Sequence, residues 1–257
     1  MTSGLHRRPA PDAGLTLVEL LVAIVLTGIL GGVVVTVLLG IHTSVSNSNA
    51  QHNLNEEARL ALNRIARELR QATAITKPAG FASPSAITSV QNPDGADYDP
   101  TQITTVTFTS DFNGDGCIDG VNSSGTATGC SAYNANDPET LTYCWDPSSD
   151  VRELFLIPGQ FVGPTCQTSG AQAILAGDVT SFKLSYRSNA YLADANNDGI
   201  TTWTELDAHS PSLGNDDGTL DAAELPEIDS VVIDITASEA GSHSQSYTTE
   251  VDLRNVS

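Results

Sequence analysis

Positive charge is scarce in this sequence. Its 257 residues hold 11 Lys and Arg against 31 Asp and Glu, a formal charge of −20. A general nucleic-acid binder needs a basic face to displace counterions from phosphates, so that class is disfavoured and no direct nucleic-acid partner is expected. Hydrolase signatures are missing as well. There is no G-x-S-x-G and no H-E-x-x-H, and the five His (6, 42, 52, 209 and 243) lie mostly outside the candidate strands named below. No C-x-x-C points to zinc. Disorder is excluded by what is present: 40% of the residues are hydrophobic, too many for an acidic disordered chain. The length suffices for one or two domains with a real core.

Charge and apolar residues are segregated. Seven of the basic residues lie in the first 77 positions, and only Arg152, Lys183, Arg187 and Arg254 follow, facing 26 acidic residues. A module so acidic stays soluble outside a cell, attracts cations and is repelled by anionic lipid headgroups. From Leu20 to Leu39 the chain reads LLVAIVLTGILGGVVVTVLL, with no charge at all. As a helix this run reaches about 30 Å, the thickness of a hydrocarbon core. A buried core helix would carry a polar face over such a length. A cleaved secretory signal would be shorter and would end in an A-x-A-like exit. Arg7 and Arg8 precede the run, and Glu56 and Glu57 are the first charges after it. The positive-inside rule puts residues 1–14 in the cytoplasm, with a single span and the acidic part outside.

Glu19 sits only four residues inside the apolar segment that begins at Leu15. An ionised carboxylate in hydrocarbon costs several kcal/mol unless a positive group meets it. Nothing basic lies within helical reach after it. A cut after Gly14 would create an ammonium on Leu15, which a helix places on the face of Glu19. The bland alternative is that Glu19 snorkels to the interface.

Residues 14–24, GLTLVELLVAI, resemble the prepilin motif of type IV pilins and type II secretion pseudopilins. The match comprises Gly14 at the cleavage site, an apolar Leu15 in place of the commoner Phe, and Glu19 at mature position five. The resemblance implies cleavage between Gly14 and Leu15 by a prepilin peptidase and methylation of the new amine. It also implies pairing of Glu19 with the amine of an adjacent subunit in a filament. Its partners would be other pilin or pseudopilin subunits, the prepilin peptidase and the cytoplasmic (inner) membrane. The segments WDPSSDVREL and GDVTSFKLSY and the ending YTTEVDLRN resemble the larger minor pseudopilins.

Residues 53–75 carry apolar side chains at Leu54, Ala58, Leu62, Ile65, Leu69 and Ala72, the spacing of an amphipathic helix. In family terms it continues the membrane segment as one long stalk. The remainder alternates with period two in short runs: Thr105–Thr109, Leu141–Trp145, Phe182–Tyr186, Val231–Ile235 and Tyr247–Leu253, with Val151–Ile157 less regular. The expected fold is α+β, a long N-terminal helix packed on an antiparallel β-sheet head. A free-standing β-sandwich on a flexible stalk is the alternative; the apolar face at 54–72 favours the packed form. The expected organisation is a leader (1–14), a transmembrane or filament-core helix (15–40), an amphipathic extension (41–76) and an extracytoplasmic head (77–257).

The four cysteines, Cys117, Cys130, Cys144 and Cys166, all lie in the head, where disulfides persist. Three pairings are possible and sequence cannot choose among them. Nearest-neighbour pairing, Cys117 with Cys130 and Cys144 with Cys166, is the expectation, because each bond would pin a glycine-rich loop.

Three aspartate-rich loops, one at 111–122 and two within 194–224, read as calcium sites. DANNDGITTWTE (194–205) matches D-x-N-x-D-G-x5-E throughout. Calcium wants six to eight hard oxygens, which Asp194, Asn196, Asp198, the Ile200 carbonyl, Thr202 and Glu205 would supply, with Gly199 at the sharp turn. LGNDDGTLDAAE (213–224) repeats the pattern through Asn215, Asp217, Thr219, Asp221 and Glu224. Its first ligand place holds Leu213, so this site should be weaker unless Asp216 substitutes. DFNGDGCIDGVN (111–122) offers Asp111, Asn113, Asp115, Cys117 and Asp119, but Asn122 stands at the closing position and cannot clamp like Glu. The alternative for each is a solvated Asn/Asp/Gly turn. Ten acidic groups between 194 and 229, with no Lys or Arg among them, would repel unless a divalent cation neutralised them.

The function expected is that of a minor pilin or pseudopilin, a structural subunit and not an enzyme, displayed on a cell-surface filament after assembly. The rival is a membrane-anchored calcium-dependent surface adhesin that does not polymerise.

Overall fold

The computed structural model describes residues 16–72, 87–95, 98–115, 117–119, 121–122, 129–130, 138–161, 163–167, 170–175, 178–188, 193–209, 214–220, 224–239 and 243–253. The chain divides into two units, Met1–Ala50 and Gln51–Ser257. One α-helix, α1 (Leu17–Gln71), contributes residues to both.

In the first unit α1 has no buried residue, and its large apolar side chains from Leu17 to Val45 are exposed. Three threonine hydroxyls in this stretch donate back along the helix: Thr27 to the Ala23 carbonyl, Thr36 to Gly32 and Val33, and Thr43 to Leu39 and Gly40. That internal bonding is what lets a hydroxyl sit in hydrocarbon without a water partner. By length and composition the helix can cross a membrane.

In the second unit the remainder of α1 becomes amphipathic. Leu54, Ala58, Ala61, Leu62, Ile65, Ala66 and Leu69 are buried in the main core. Each fully buried Leu or Ile contributes about 1.5–3 kcal/mol relative to exposure. Strands cover this face, as expected for a packed head.

Where one sheet was expected, two are present, both antiparallel throughout. The five-stranded sheet runs β1 (Ile87–Gln91), β2 (Thr104–Thr109), β5 (Thr140–Trp145), β6 (Leu154–Pro158), β7 (Gln172–Leu175). The four-stranded sheet runs β11 (His243–Asp252), β10 (Ser230–Glu239), β8 (Asp178–Ser188), β9 (Thr201–Thr202). A ribbon of β3 (Cys117–Ile118) and β4 (Val121–Asn122) stands apart from both. The long loop before β10 carries a short helix, α2 (Trp203–Ala208), and a 3-10 turn at Leu225–Glu227.

Both sheets and α1 feed one core, which includes Phe108, Tyr143, Trp145, Phe182, Leu184, Tyr186, Ile233 and Ile235. Trp145 Nε1 donates to the Val179 carbonyl at 3.1 Å, tying β5 to β8. Period two explains the reverse face of β5: Cys144 lies in a second cluster with Phe155, Ile157 and Cys166. Polar links fix the helix to each sheet. Tyr143 Oη donates to Glu68, which also pairs with Arg64 at 2.9 Å, and Tyr247 Oη donates to Asn55. Burial, then the Glu68 charge, push the Tyr143 phenol well above its ordinary range, so it stays a donor. Ser110 Oγ donates to the Gln71 carbonyl at 2.8 Å, closing the C-terminal end of α1.

Candidate functional site

At the N-terminus, Gly14 and Leu15 lie outside the described residues. Thr16 is the first described, and it caps α1. Its Oγ1 accepts from the Glu19 N–H at 3.3 Å, while Glu19 Oε2 accepts from the Thr16 N–H at 2.9 Å and from its hydroxyl at 3.0 Å. This is a capping box, which answers two of the orphan donors at a helix start. Glu19 is exposed and holds the cap at the N-terminal end of α1.

The three aspartate-rich loops share one local geometry. In each, the third-position asparagine accepts from the fifth-position N–H: Asn113 from Asp115 at 2.8 Å, Asn196 from Asp198 at 2.8 Å, Asn215 from Asp217 at 3.1 Å. The fifth-position aspartate accepts in turn from the seventh N–H: Asp115 from Cys117, Asp198 from Ile200, Asp217 from Thr219, at 2.8–2.9 Å. The fourth residue is left-handed every time: Gly114 at φ 74°, Asn197 at 57°, Asp216 at 58°. Gly199 and Gly218, at the sixth place, are left-handed as well (φ 84° and 77°), the conformation that favours glycine there.

In the loop 194–205, Asp194 accepts from the N–H groups of Asp198 and Gly199. The loop is anchored at both ends: Arg187 and Ser188 of β8 pair with Thr202 and Thr201 of β9, and α2 follows immediately. Thr202 and Glu205 form the capping box of that helix, with Glu205 Oε2 accepting from the Thr202 N–H at 3.0 Å. The loop is therefore flanked by a strand and a helix.

In the loop 213–224, Leu213 and Asp221 fall outside the described residues. Here the structure places a residue that spacing did not reveal. Asp207, from α2, accepts from the Asp217 N–H at 3.2 Å and the Gly218 N–H at 2.9 Å. These are the contacts that Asp194 makes to Asp198 and Gly199 in its own loop. Asp207 is 4% exposed, whereas Asp216 is exposed and donates its N–H to the Asp207 carbonyl. Asp207 thus takes in this turn the hydrogen-bonding place that Asp194 takes in its own loop. Glu224, the closing residue, is fully buried.

In the loop 111–122, Asp111 Oδ1 accepts from the Gly114 and Asp115 N–H groups at 2.7 and 3.1 Å. Asp119 turns away toward the segment before β5: its Oδ1 accepts from the Glu139 N–H at 3.0 Å, and its Oδ2 accepts from the Thr140 hydroxyl. Glu139 is the second residue that spacing missed. The β2–β5 ladder pairs Thr109 with Thr140, and the next rung runs from the Ser110 N–H to the Glu139 carbonyl at 2.8 Å. That register sets Glu139 beside the loop. A carboxylate oxygen of each of Asp111, Asp115 and Glu139 lies within 4.8 Å of the others, the one such acidic group among the described residues. Burial pushes the Glu139 carboxyl up and the Asp119 N–H pulls it down. Repulsion from Asp115, Asp111 and Asp119 adds to the rise, and the net direction is upward.

The disulfides join Cys117 to Cys130 and Cys144 to Cys166, closing separations of 13 and 22 residues. The first ties down β3, the strand that follows the turn at 111–115, and no free cysteine remains among the described residues.

Residues 10–40 match the family model described as the prokaryotic N-terminal methylation motif. No curated protein matches the chain significantly.

Proposed function

From a chain that is a type IV pilin-like or pseudopilin precursor by its N-terminal methylation motif, we propose a minor subunit of a type IV pilus or type II secretion-like filament. That motif implies processing by prepilin peptidase and assembly with other pilin subunits. The observation that carries the reading is the conjunction of this motif with a helix that is exposed and apolar at one end and buried in a β-rich head at the other. The apolar part stores the subunit in the membrane with its N-terminus cytoplasmic, and burial among neighbouring subunits replaces lipid on assembly. Glu19 selects the register by meeting a neighbour's amine. A head of this size limits lateral packing, which suits a minor or initiating subunit better than the bulk one.

The head binds calcium in this reading. Its support is the shared backbone of three loops with oxygen donors at matching positions, completed in one of them by Asp207. Calcium would be held by Asp194, Asn196, Asp198 and the Ile200 carbonyl in the first loop. Asp207, Asn215, Asp217 and Glu224 would hold it in the second.

Mass analysis of the mature N-terminus in the native cells tests the assignment. The expected product begins at a methylated Leu15, and Gly14→Glu abolishes it. A membrane-bound protein that retains Met1–Gly14 would instead favour the tethered adhesin.

A further inference from the structure

We propose that Asp111, Asp115 and Glu139 together hold one calcium ion, with Glu139 as the closing carboxylate that Asn122 cannot provide. This rests on the reading of loop 111–122 as a calcium loop and adds to it a ligand from 28 residues beyond Asp111, outside the motif.

The argument begins with an oxygen. Glu139 is 3% exposed, and its Oε1 has no hydrogen-bond partner among the described residues. Its Oε2 accepts from the Asp119 N–H at 2.6 Å. A buried carboxylate oxygen without a donor costs on the order of 1–3 kcal/mol or more. The groups gathered around Glu139 are the carboxylates of Asp111 and Asp115, and ionised carboxylates accept only. While ionised, neither can donate to Glu139 Oε1. A cation seated beside the three carboxylates meets that oxygen.

The donor set then selects the cation. Every side-chain donor is a hard oxygen, and Asn113 adds an amide oxygen from the same loop. The nearby sulfur, that of Cys117, is consumed in the disulfide with Cys130, so a thiolate-seeking metal finds no ligand there. A loop of acidic oxygens with left-handed turns suits the flexible, many-oxygen shell of calcium better than the rigid octahedron of magnesium. The β2–β5 register delivers Glu139 from a rigid ladder, as a clamp requires.

Radioactive calcium equilibrium dialysis on the full-length protein in detergent tests this, with calcium as the sole probe. The variants are Glu139→Gln, Asp115→Asn, their combination, and Asp194→Asn as a reference for the separate loop 194–205. Glutamine keeps an acceptor for the Asp119 N–H. Glu139→Gln is expected to lose one ion, or to weaken it by at least on the order of tenfold, the drop that loss of an outer-shell partner alone produces. Asp115→Asn should affect the same ion, so the double variant should be short of one ion and no more. Asp194→Asn should remove a different ion.

If Glu139→Gln binds as the parent does while Asp194→Asn loses an ion, the Glu139 site is wrong and the calcium reading of the head survives. If the parent binds no calcium, that reading falls first. A double variant short of two ions would overturn the shared site. Melting in EDTA guards against a structural explanation. Removing a buried charge from among carboxylates should leave the melting temperature equal or higher, and a lower value would assign Glu139 a structural role instead.

Discussion

Asp94 and Glu139 are both carboxylates of the head, and their surroundings push them in opposite directions. Burial raises the Asp94 carboxyl, but it is outweighed by the Lys183 ammonium at 2.6 Å, the Ser185 hydroxyl at 2.7 Å and the Gly95 N–H, so the net shift is downward from 3.8. Around Glu139 burial is joined by three like charges and the net shift is upward. Asp94 also joins elements: its N–H donates to the Leu184 carbonyl at 2.9 Å and its own carbonyl accepts from Trp203 Nε1. A carboxyl depressed in the folded state contributes stability above its unfolded pKa and loses it as pH falls through the folded one. Asp94→Asn should therefore lower stability at neutral pH and flatten the loss below about pH 3.8. Both partners of the ion pair are about one-third exposed, so solvent screening caps the effect near 1 kcal/mol. Urea midpoints of parent and variant, taken in EDTA from pH 7 to pH 3, would show it; parallel curves down to pH 3 would refute it.

The elements show where reading along the chain succeeds and where it stops. Leu54 to Leu69 and the runs TVTFT, LTYCW, FKLSY, VVIDI and YTTEVDL were legible because burial on one face imposes a period, 3.6 or 2, on the residues themselves. β1 and β7 were not. ITSVQ is mostly polar and bulged between Ile87 and Ser89, and QAIL is an edge strand with Gln172 and Ala173 exposed. Neither needed a strong apolar alternation. The loops were legible in part for the same reason: their third, fifth and sixth positions are local, whereas Asp207 and Glu139 come from other segments. The second was recoverable only by pairing TVTFT with LTYCW and asking what the next rung brings. Gly214 shows how tightly α2 holds its loop. A Cβ there would lie 2.3 Å from the carbonyl oxygens of Leu206 and Asp207, both backbone atoms that cannot step aside cheaply. Gly214→Ala should cost about 1–3 kcal/mol, as overpacking does. If the head binds calcium as proposed, the variant should also shrink the rise in melting temperature on adding calcium, because Asp207 moves away from the Asp217 and Gly218 N–H groups. A variant that melts with the parent, with and without calcium, would refute that coupling.

For the whole molecule the governing quantity is the imbalance of 26 acidic residues against four basic ones after residue 77. So lopsided a charge opposes compaction through self-repulsion, and two sources of relief differ in kind. Sodium chloride screens exposed charges at distances beyond about 8–10 Å, with less effect on buried groups such as Glu139, Asp207 and Glu224. Calcium held between carboxylates, as proposed, would act at contact and only in the folded state. At ten times its dissociation constant one such ion adds about 1.4 kcal/mol by mass action. For a head of this size that is on the order of 3–6 °C in melting temperature. Millimolar calcium should therefore raise the melting temperature well above the value in EDTA with sodium chloride at matched ionic strength. The increment should grow with calcium concentration after the salt effect has levelled off. Magnesium at the same concentration separates the explanations further, because it screens as calcium does but resists giving up its waters to a loop of carboxylates. If calcium, magnesium and matched sodium chloride give one melting temperature, the acidic loops are solvated turns, and the head tolerates its charge by exposure alone.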